Sequence, residues 1–525
     1  MKLNYAHEGY EYQDLLTVYF ILKELINDRD SKFIIDKKEF DKDKFDDLRI
    51  ISNEQIEQKQ IKYSNEEINY SLSKGDLSSI GNHDIAIDLL FHSWKECRAK
   101  FDTSKKIETR LCLAWNGPNQ DDELCNILDE ICDGSVGKTF KNTKIYKIIL
   151  NQLWPERGEP KNTWRRLKKE SVNIDRNEFE KFCNELVIEV SYPKASIDIY
   201  KPGNLEMEVI NLVKKLGVGN FPNEFIKIED TILNLSHIVK HARTQGETLE
   251  LVNIINQLGL ITNFGSIQQT IDINQNINID LSDKYESFYE LVNNKNKVFL
   301  YGEPGLGKTW FIENFQNYLK EKNVKTVRHY CYTGLNDEND IERIKTNVFY
   351  GNLINEILKI YPDLNSKKSN KYSADKQELE ELLQHIKDIL FITIDGLDHI
   401  DRVYEMNKGK LKGDEIDIIN NIINLKVSNN IKIVISSQPL ASAEKIIGNG
   451  FEMIKMYSWT IQEIELLMKK INLQNTSFDG TKLSSLLLEK SSGNPLYLTY
   501  LMLEVQNSDI IVKNELECIP AYKGV

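Results

Sequence analysis

Hydrophobic and polar positions recur along this chain with two different periods, and the period separates helices from strands. Between Tyr12 and Ile26, Leu15, Leu16, Tyr19, Phe20, Leu22, Leu25 and Ile26 return every three or four residues, which predicts an amphipathic helix. Leu48 to Ile51 and Ile56 to Tyr63 read as two strands, with Ser52-Asn53-Glu54 as the turn between them. Helical spacing returns from Asp84 to Phe101, and Thr109 to Trp115 reads as a further strand of the same sheet. From about Gln120 to Gly265 the pattern is helical, interrupted by turn signals at Pro155, Gly158-Glu159-Pro160, Pro193, Pro202-Gly203 and Phe221-Pro222. The stretch 265–283 sets isoleucines among Asn, Gln and Asp, as an exposed connector with some strand character does. Beyond it, Val298 to Tyr301, Ile389 to Ile394 and Ile431 to Ile435 are short apolar runs of the kind a buried parallel sheet needs.

The pattern predicts an α/β multidomain chain: an α/β core over 1–120, a helical extension over 121–264 and a linker over 265–283. A second α/β core with a parallel sheet follows over 284–445, with a helical lid over 446–525.

The second core carries the clearest chemistry. After the run Val298 to Tyr301 comes Gly302-Glu303-Pro304-Gly305-Leu306-Gly307-Lys308-Thr309, and then Trp310, Phe311, Phe315 and Leu319 at helical spacing. Strand, glycine-rich loop and helix stand in the order a phosphate-binding loop requires. The glycines let backbone N–H groups turn inward, Lys308 reaches the β- and γ-phosphates, and Thr309 offers a hydroxyl to Mg²⁺. Cys132 to Phe140 also ends in Gly-Lys-Thr, but Cys132 occupies the place of the first glycine and no clear strand precedes it. It reads as an ordinary loop. Asp395, at the end of the apolar run from Ile389, occupies the position where a carboxylate holds Mg²⁺, and Asp398 lies close enough to polarise an attacking water. A nucleoside triphosphate and Mg²⁺ are the cofactors these residues imply.

Composition narrows the remaining classes. The chain has 525 residues and a net charge of −13, which argues against a protein that coats DNA generally. Between Lys138 and Lys169 the balance reverses, with Trp154 and Trp164 interleaved, a stretch that reads equally as a DNA-tracking groove or a solvated face. No apolar run is long enough for a membrane span, and the first residues lack the apolar core of a secretory signal. The seven cysteines show no metal-ligand spacing and read as reduced thiols of a cytoplasmic protein. His237 and His241 stand one helical turn apart without a third ligand.

A second constellation lies near the N-terminus. Asp47 opens the first strand of the predicted hairpin, and Gln60 and Lys62 share one face of the second, with Ile61 opposite. A carboxylate, a polar residue and a lysine so placed suit a metal-dependent nuclease: the first two place an ion and a water, and the lysine steadies the phosphorane charge. Asp46 competes with Asp47, and Glu57 with Lys59 offers a rival pair on the other face.

Two resemblances join these motifs. GYEYQ opening the first helix, then DDL and QIKYS on neighbouring strands, resembles the restriction-type PD-(D/E)xK domains of bacterial antiphage effectors, the Cap-type and Mrr-like double-strand DNA endonucleases. Over roughly the first quarter of the chain, that resemblance implies a restriction-endonuclease-like core with Gln13, Asp47, Gln60 and Lys62 as its site, Asp47 and Gln60 holding the metal. The second half is similar to the STAND class of NTPases, including NACHT proteins: a Walker A loop, DGLD, a sensor strand ending Ser436-Ser437-Gln438-Pro439, and Gly493-Asn494-Pro495. This implies Mg²⁺ on Asp395, support of hydrolysis by Asp398, sensing of the γ-phosphate near Ser437, and Pro495 packed near adenine. His399 replaces the usual acidic residue and Gln438 the usual arginine, which suits a slow switch rather than fast turnover. The winged helix and sensor repeats usual in that class do not fit after Leu496, so the sequence reads either as a shortened form or as one whose sensor lies elsewhere. Together the resemblances imply a cytoplasmic antiphage effector in which ATP drives self-association and cleavage of double-stranded DNA, answering a phage-derived trigger or a sensor chain, with no membrane partner. The alternative is an ATP switch whose first half binds DNA or a partner without cutting.

Overall fold

The computed structural model describes residues 2–64, 69–78, 84–101, 105–171, 173–194, 196, 201–334, 337–407, 409–439, 445–478, 481–507, 516 and 518–523. The chain divides into two compact units, 1–260 and 261–525.

The first unit opens with helix α1 (Lys2–Ile26), followed by strands β1 (Lys32–Ile35), β2 (Leu48–Ile51) and β3 (Gln55–Lys62). β2 and β3 form the predicted hairpin with Leu48 opposite Lys59 and Ile51 opposite Ile56, and the Ser52 amide closes its turn on the Gln55 carbonyl at 2.9 Å. Helix α2 (Ile87–Lys100) leads to β4 (Lys106–Leu113), which runs parallel to β3. β5 (Leu128–Glu130), β6 (Lys144–Ile148), helix α3 (Arg176–Glu185) and β7 (Leu186–Val190) come next, then helices α4 (Asn204–Leu216) and α5 (Ile228–Gln245) and strand β8 (Thr248–Glu250). Among the described residues these strands make one mixed sheet in the order β5-β6-β7-β4-β3-β2-β1-β8. The helical extension expected over 121–264 is therefore corrected, because β5 to β8 belong to the same sheet as β1 to β4. The cause is length: strands of three to five residues, two of them mostly polar (Leu128–Glu130 and Thr248–Glu250), are too short for periodicity to tell them from helix or loop.

Both faces of this sheet are covered. Phe91, Trp94, Phe179, Phe182, Trp154 and Trp164 pack with Leu111 and Ile188 in one core, while α1 covers the other face with Tyr12, Tyr19 and Phe20. Trp154 and Trp164, read from the sequence as interleaved in a basic groove, are buried in this core and offer no stacking platform. The Cys132–Phe140 segment is a loop, as expected, and it wraps a buried ion pair. Glu189 accepts from the Thr139 amide at 2.7 Å and from Tyr192 at 2.9 Å, and it pairs with Arg110, which donates to the Gly137 carbonyl at 3.1 Å. A carboxylate taken fully out of water survives only with such saturation.

Among the described residues the second unit is built on a five-stranded, all-parallel sheet in the order β10-β11-β12-β9-β13. Helix α6 (Ser282–Lys295) precedes β9 (Lys297–Tyr301), followed by α7 (Lys308–Glu321), β10 (Lys325–Tyr330), α8 (Thr346–Ile360), β11 (Leu390–Asp395) and α9 (Asp398–Met406). β12 (Ile431–Ser437) and β13 (Glu452–Lys455) complete the sheet, and α10 (Ile461–Lys470), α11 (Leu483–Ser491) and α12 (Pro495–Asn507) form a helical subdomain. Thr393, the polar residue in the Asp395 strand, is fully buried and accepts from Gln316 at 2.8 Å.

The stretch 265–283 has no helix or strand before Ser282 and leaves Gln268, Asp272, Asn274 and Asp280 exposed, as a connector does, but it is anchored to the second unit. The Gln269 side chain accepts from the Tyr330 amide at 2.6 Å, Asn352 accepts from the Ile267 amide at 2.8 Å, and Ile279 joins the core of α10 to α12. Polar composition hid this because the anchors are few: Gln269 is buried against a backbone amide while most of its polar neighbours face water.

His329 on β10 is buried between the Arg343 carbonyl and Asn352, each at 2.9 Å, and burial lowers its pKa to about 4. The unfolded chain therefore binds the extra proton first as pH falls. The resulting stability is full above about pH 6.5, shrinks as pH falls to about 4, and amounts to about 3 kcal/mol over that window. His329→Gln is expected to flatten the change in urea midpoint between pH 7 and pH 5. An unchanged slope would place the effect elsewhere.

Candidate functional site

β9 ends in the loop 302–307, where Gly305 and Gly307 adopt positive φ of 78° and 79°, and α7 begins at Lys308. That conformation is costly for any residue with a Cβ and directs backbone N–H groups inward at the positive end of α7. The Lys308 ammonium folds back onto the carbonyls of Gly302 and Glu303 at 2.7 and 3.0 Å. Burial lowers its pKa, and the charges of Asp398 and Asp395 oppose that shift.

β12 lies between β9 and β11, so its final residues stand beside both acids. Asp395 accepts from the Thr309 hydroxyl at 2.7 Å and from the Ser436 hydroxyl. Its full burial raises its pKa, and the two hydroxyls and Lys308 partly offset that. Asp398 accepts from the Gln438 amide at 3.2 Å and from Ser437 at 3.5 Å. His399 stacks on Tyr332 at 4.0 Å, with Nε2 3.5 Å from Asp398. Burial lowers the His399 pKa, with Asp398 opposing and Arg402 and Lys308 adding to the shift.

A cavity of about 510 Å³ opens over the loop. Pro304 to Trp310, Asp395, Asp398, His399, Gln438, Pro495 and Leu496 line it, so most of the residues read from the sequence meet at one place. Gly302 and Glu303 sit behind it as the carbonyl anchors of Lys308, and Ser437 acts from behind Asp398. The donor chemistry fits ATP with Mg²⁺: inward amides and a lysine for phosphates, and two hard oxygen donors, Thr309 and Asp395, that already touch. Sequence reasoning missed Ile277, Ile279, Leu281, Tyr332 and Trp459, which complete the walls. The isoleucine alternation before α6 was the available signal for the first of these.

The helical subdomain is clamped to the loop. Asn494 donates to the Pro304 carbonyl at 3.0 Å and the Leu496 amide to the Gly305 carbonyl at 3.2 Å. Gly493, at φ 72°, brings its backbone so near Trp459 that a Cβ would meet the Trp459 carbonyl oxygen at 2.3 Å. Gly493→Ala is expected to cost about 2–4 kcal/mol through left-handed strain and overpacking, and to weaken ATP binding by loosening the clamp. Thermal unfolding and nucleotide titration check both effects.

In the first unit, Asp47 accepts from Gln60 Nε2 and from the Ile61 amide, each at 2.6 Å. Burial raises its pKa to about 7, and Lys62 is the main opposing charge. Lys62 Nζ lies 3.7 Å from Asp84, which also accepts from Lys44 at 2.9 Å. Asp47, not Asp46, touches Gln60. The rival pair, Glu57 and Lys59, bonds internally at 2.6 Å with Lys59 buried over the Phe20 ring. Gln13 is half-buried on α1 and makes no hydrogen bond with Asp47, Gln60 or Lys62 among the described residues. No set of three acid, histidine or cysteine side chains converges to hold a metal ion among the described residues. Of the acidic and polar residues expected at a nuclease centre, Asp47 and Gln60 meet, and Gln13 is not hydrogen-bonded to either among the described residues. No helix among the described residues is long and apolar enough to cross a membrane.

Residues 281–438, from the start of α6 to just past β12, match the family model of the nephrocystin 3 N-terminal region. Among solved structures, the chain is similar to ORC2 of Aeropyrum pernix at 10% identity, over 49% of this chain and 70% of that one, with a TM-score of 0.27. A Walker-type ATPase of Pyrococcus abyssi aligns at 11% identity over 47% and 72%, TM-score 0.29. A RuvB variant of Thermotoga maritima aligns at 13% over 46% and 68%, TM-score 0.23. No curated protein matches the chain. With the loop, the parallel sheet and the paired Thr309 and Asp395, the second unit is a P-loop NTPase module.

Proposed function

We propose that this chain is a cytoplasmic antiphage effector of the STAND type, in which ATP held by the second unit controls cutting of double-stranded DNA by the first. The observation that carries the switch is the state of Asp398. The residue placed to polarise water is held by the Gln438 amide and faced by His399, with no arginine at the sensor turn. Such a site binds ATP firmly and hydrolyses it slowly. Lys308 and the loop amides neutralise the phosphates, Thr309 and Asp395 would hold Mg²⁺, and the Asn494 clamp passes the state of the loop to the helical subdomain. Mg²⁺ bound by these residues would supply positive charge to neutralise the triphosphate.

Cleavage is phosphodiester hydrolysis: water adds to phosphorus, the P–O bond to the leaving strand end breaks, and Lys62 steadies the charge that develops. The meeting of Asp47 with Gln60, two residues from Lys62 on the same strand face, supports this output. A second reading, binding of DNA or a partner without cutting, is favoured by the single carboxylate of the set: of Gln13, Asp47, Gln60 and Lys62 only Asp47 brings a negative charge to a metal ion. Self-association on ATP tests the switch. Sedimentation with Mg²⁺ and a non-hydrolysable ATP analogue is expected to move the protein from monomer to oligomer. A monomer that cuts DNA fully without ATP would contradict it.

A further inference from the structure

The face of the first sheet that carries Gln60 and Lys62 ends in a pair of aromatic rings. Lys62 on β3 stands opposite Leu113 on β4, so the two side chains share a face. Trp115, two residues on, packs against the core that holds Leu111 and Leu113. Its indole N–H donates to the Tyr63 carbonyl at 3.1 Å, which lays the ring across the end of β3, next to Lys62. Residues 70–72 run alongside: the Asn116 amide donates to the Tyr70 carbonyl at 2.8 Å, and the Leu72 amide to the Asn116 carbonyl at 3.0 Å. This pairing sets the Tyr70 ring on Trp115, with centroids 4.7 Å apart and planes inclined by 63°. The Tyr70 hydroxyl donates to buried Asp76 at 2.7 Å, and Asp76 also accepts from the Ser73 amide and hydroxyl. The polar end of each ring is thus engaged inside the protein, and ring surface is what remains toward solvent. Tyr70 is 38% exposed and Trp115 half-buried.

We propose that Tyr70 and Trp115 form a stacking subsite for a nucleobase that has left the duplex beside the scissile phosphate; this rests on the nuclease reading above. A ring already fixed in place loses little freedom when a flat ligand stacks on it, and every base offers a face of the same kind. With their donors engaged, the two rings take a base by its face and do not read its edge. Bases within a duplex are covered on both sides, so only one that has come out of the stack can be held this way. Lys62 then meets the phosphate charge while the neighbouring base lies on the rings. The substrate class this selects is duplex DNA with an unpaired nucleotide at the cut, as at a mismatch, a frayed end or a junction with single strand.

The test is binding of a fully paired duplex, and of the same duplex with a central mismatch, to the full chain with ATP. Ca²⁺ replaces Mg²⁺ so that binding is read without cleavage. The native protein is expected to favour the mismatched duplex by about tenfold. Tyr70→Leu keeps apolar packing against Trp115 without a flat ring, and it is expected to remove most of that ratio. Tyr70→Phe keeps the ring and is expected to retain the ratio. A purely structural Tyr70 would weaken both duplexes alike and leave the ratio at its native value. Equal native affinities, or a native ratio in Tyr70→Leu, would overturn the stacking subsite alone. Failure of the native chain to bind either duplex would overturn the DNA reading and the subsite with it.

Discussion

Lys308→Ala is expected to lower ATP hydrolysis by about 10²-fold or more and to weaken triphosphate binding. Lys308 is half-enclosed by the loop, its ammonium resting on the Gly302 and Glu303 carbonyls, so no other cation of the loop can take its place. Its removal also strips Asp395 and Asp398 of a compensating positive charge. The free Asp395 carboxyl then becomes still harder to ionise, and Mg²⁺ affinity falls with it. Calorimetric titration of ATP with Mg²⁺, beside single-turnover hydrolysis, measures both effects. Native affinity in this variant would mean that the cavity over the loop is not the nucleotide site.

The second large effect is expected at Lys62. Lys62→Ala should abolish DNA cleavage, a loss of about 10²–10³-fold, because a cation aimed at the developing phosphorane charge acts mainly in the transition state. Lys62 is a quarter exposed and only loosely paired to Asp84, so folding does not depend on it and thermal stability should stay near native. Lys59→Ala is the contrasting control: Lys59 is buried beneath Phe20 against Glu57, and its loss should destabilise the unit. A Lys62→Ala protein that still cuts would remove the nuclease reading of this strand.

The phosphate loop was legible because its requirements are local: glycines at fixed offsets, a lysine, a hydroxyl, an apolar strand before and a helix after. Asp395 was legible for the same reason, at the end of a short apolar run. The hairpin of β2 and β3 was also readable, but the burial of its polar residues was not. Gln58, Lys59 and Gln60 are all buried, because α1 covers one face of the sheet and the Trp94 core the other. The four later strands of the first unit are short and lie between helices, and their pairing is set by contacts far away in sequence. The connector before α6 is irregular and largely exposed, as its composition suggests, but composition does not show its anchoring. Its amides and isoleucines serve the second unit, Gln269 bonding Tyr330 and Ile277 and Ile279 lining the nucleotide cavity.

The most direct measurement is plasmid cleavage by the native protein with Mg²⁺, with and without ATP, beside Lys62→Ala and Lys308→Ala. Cutting by the native protein only when ATP is present, and by neither variant, is the expected result. Cutting by native protein and Lys308→Ala alike, without ATP, would contradict the control of the first unit by the second.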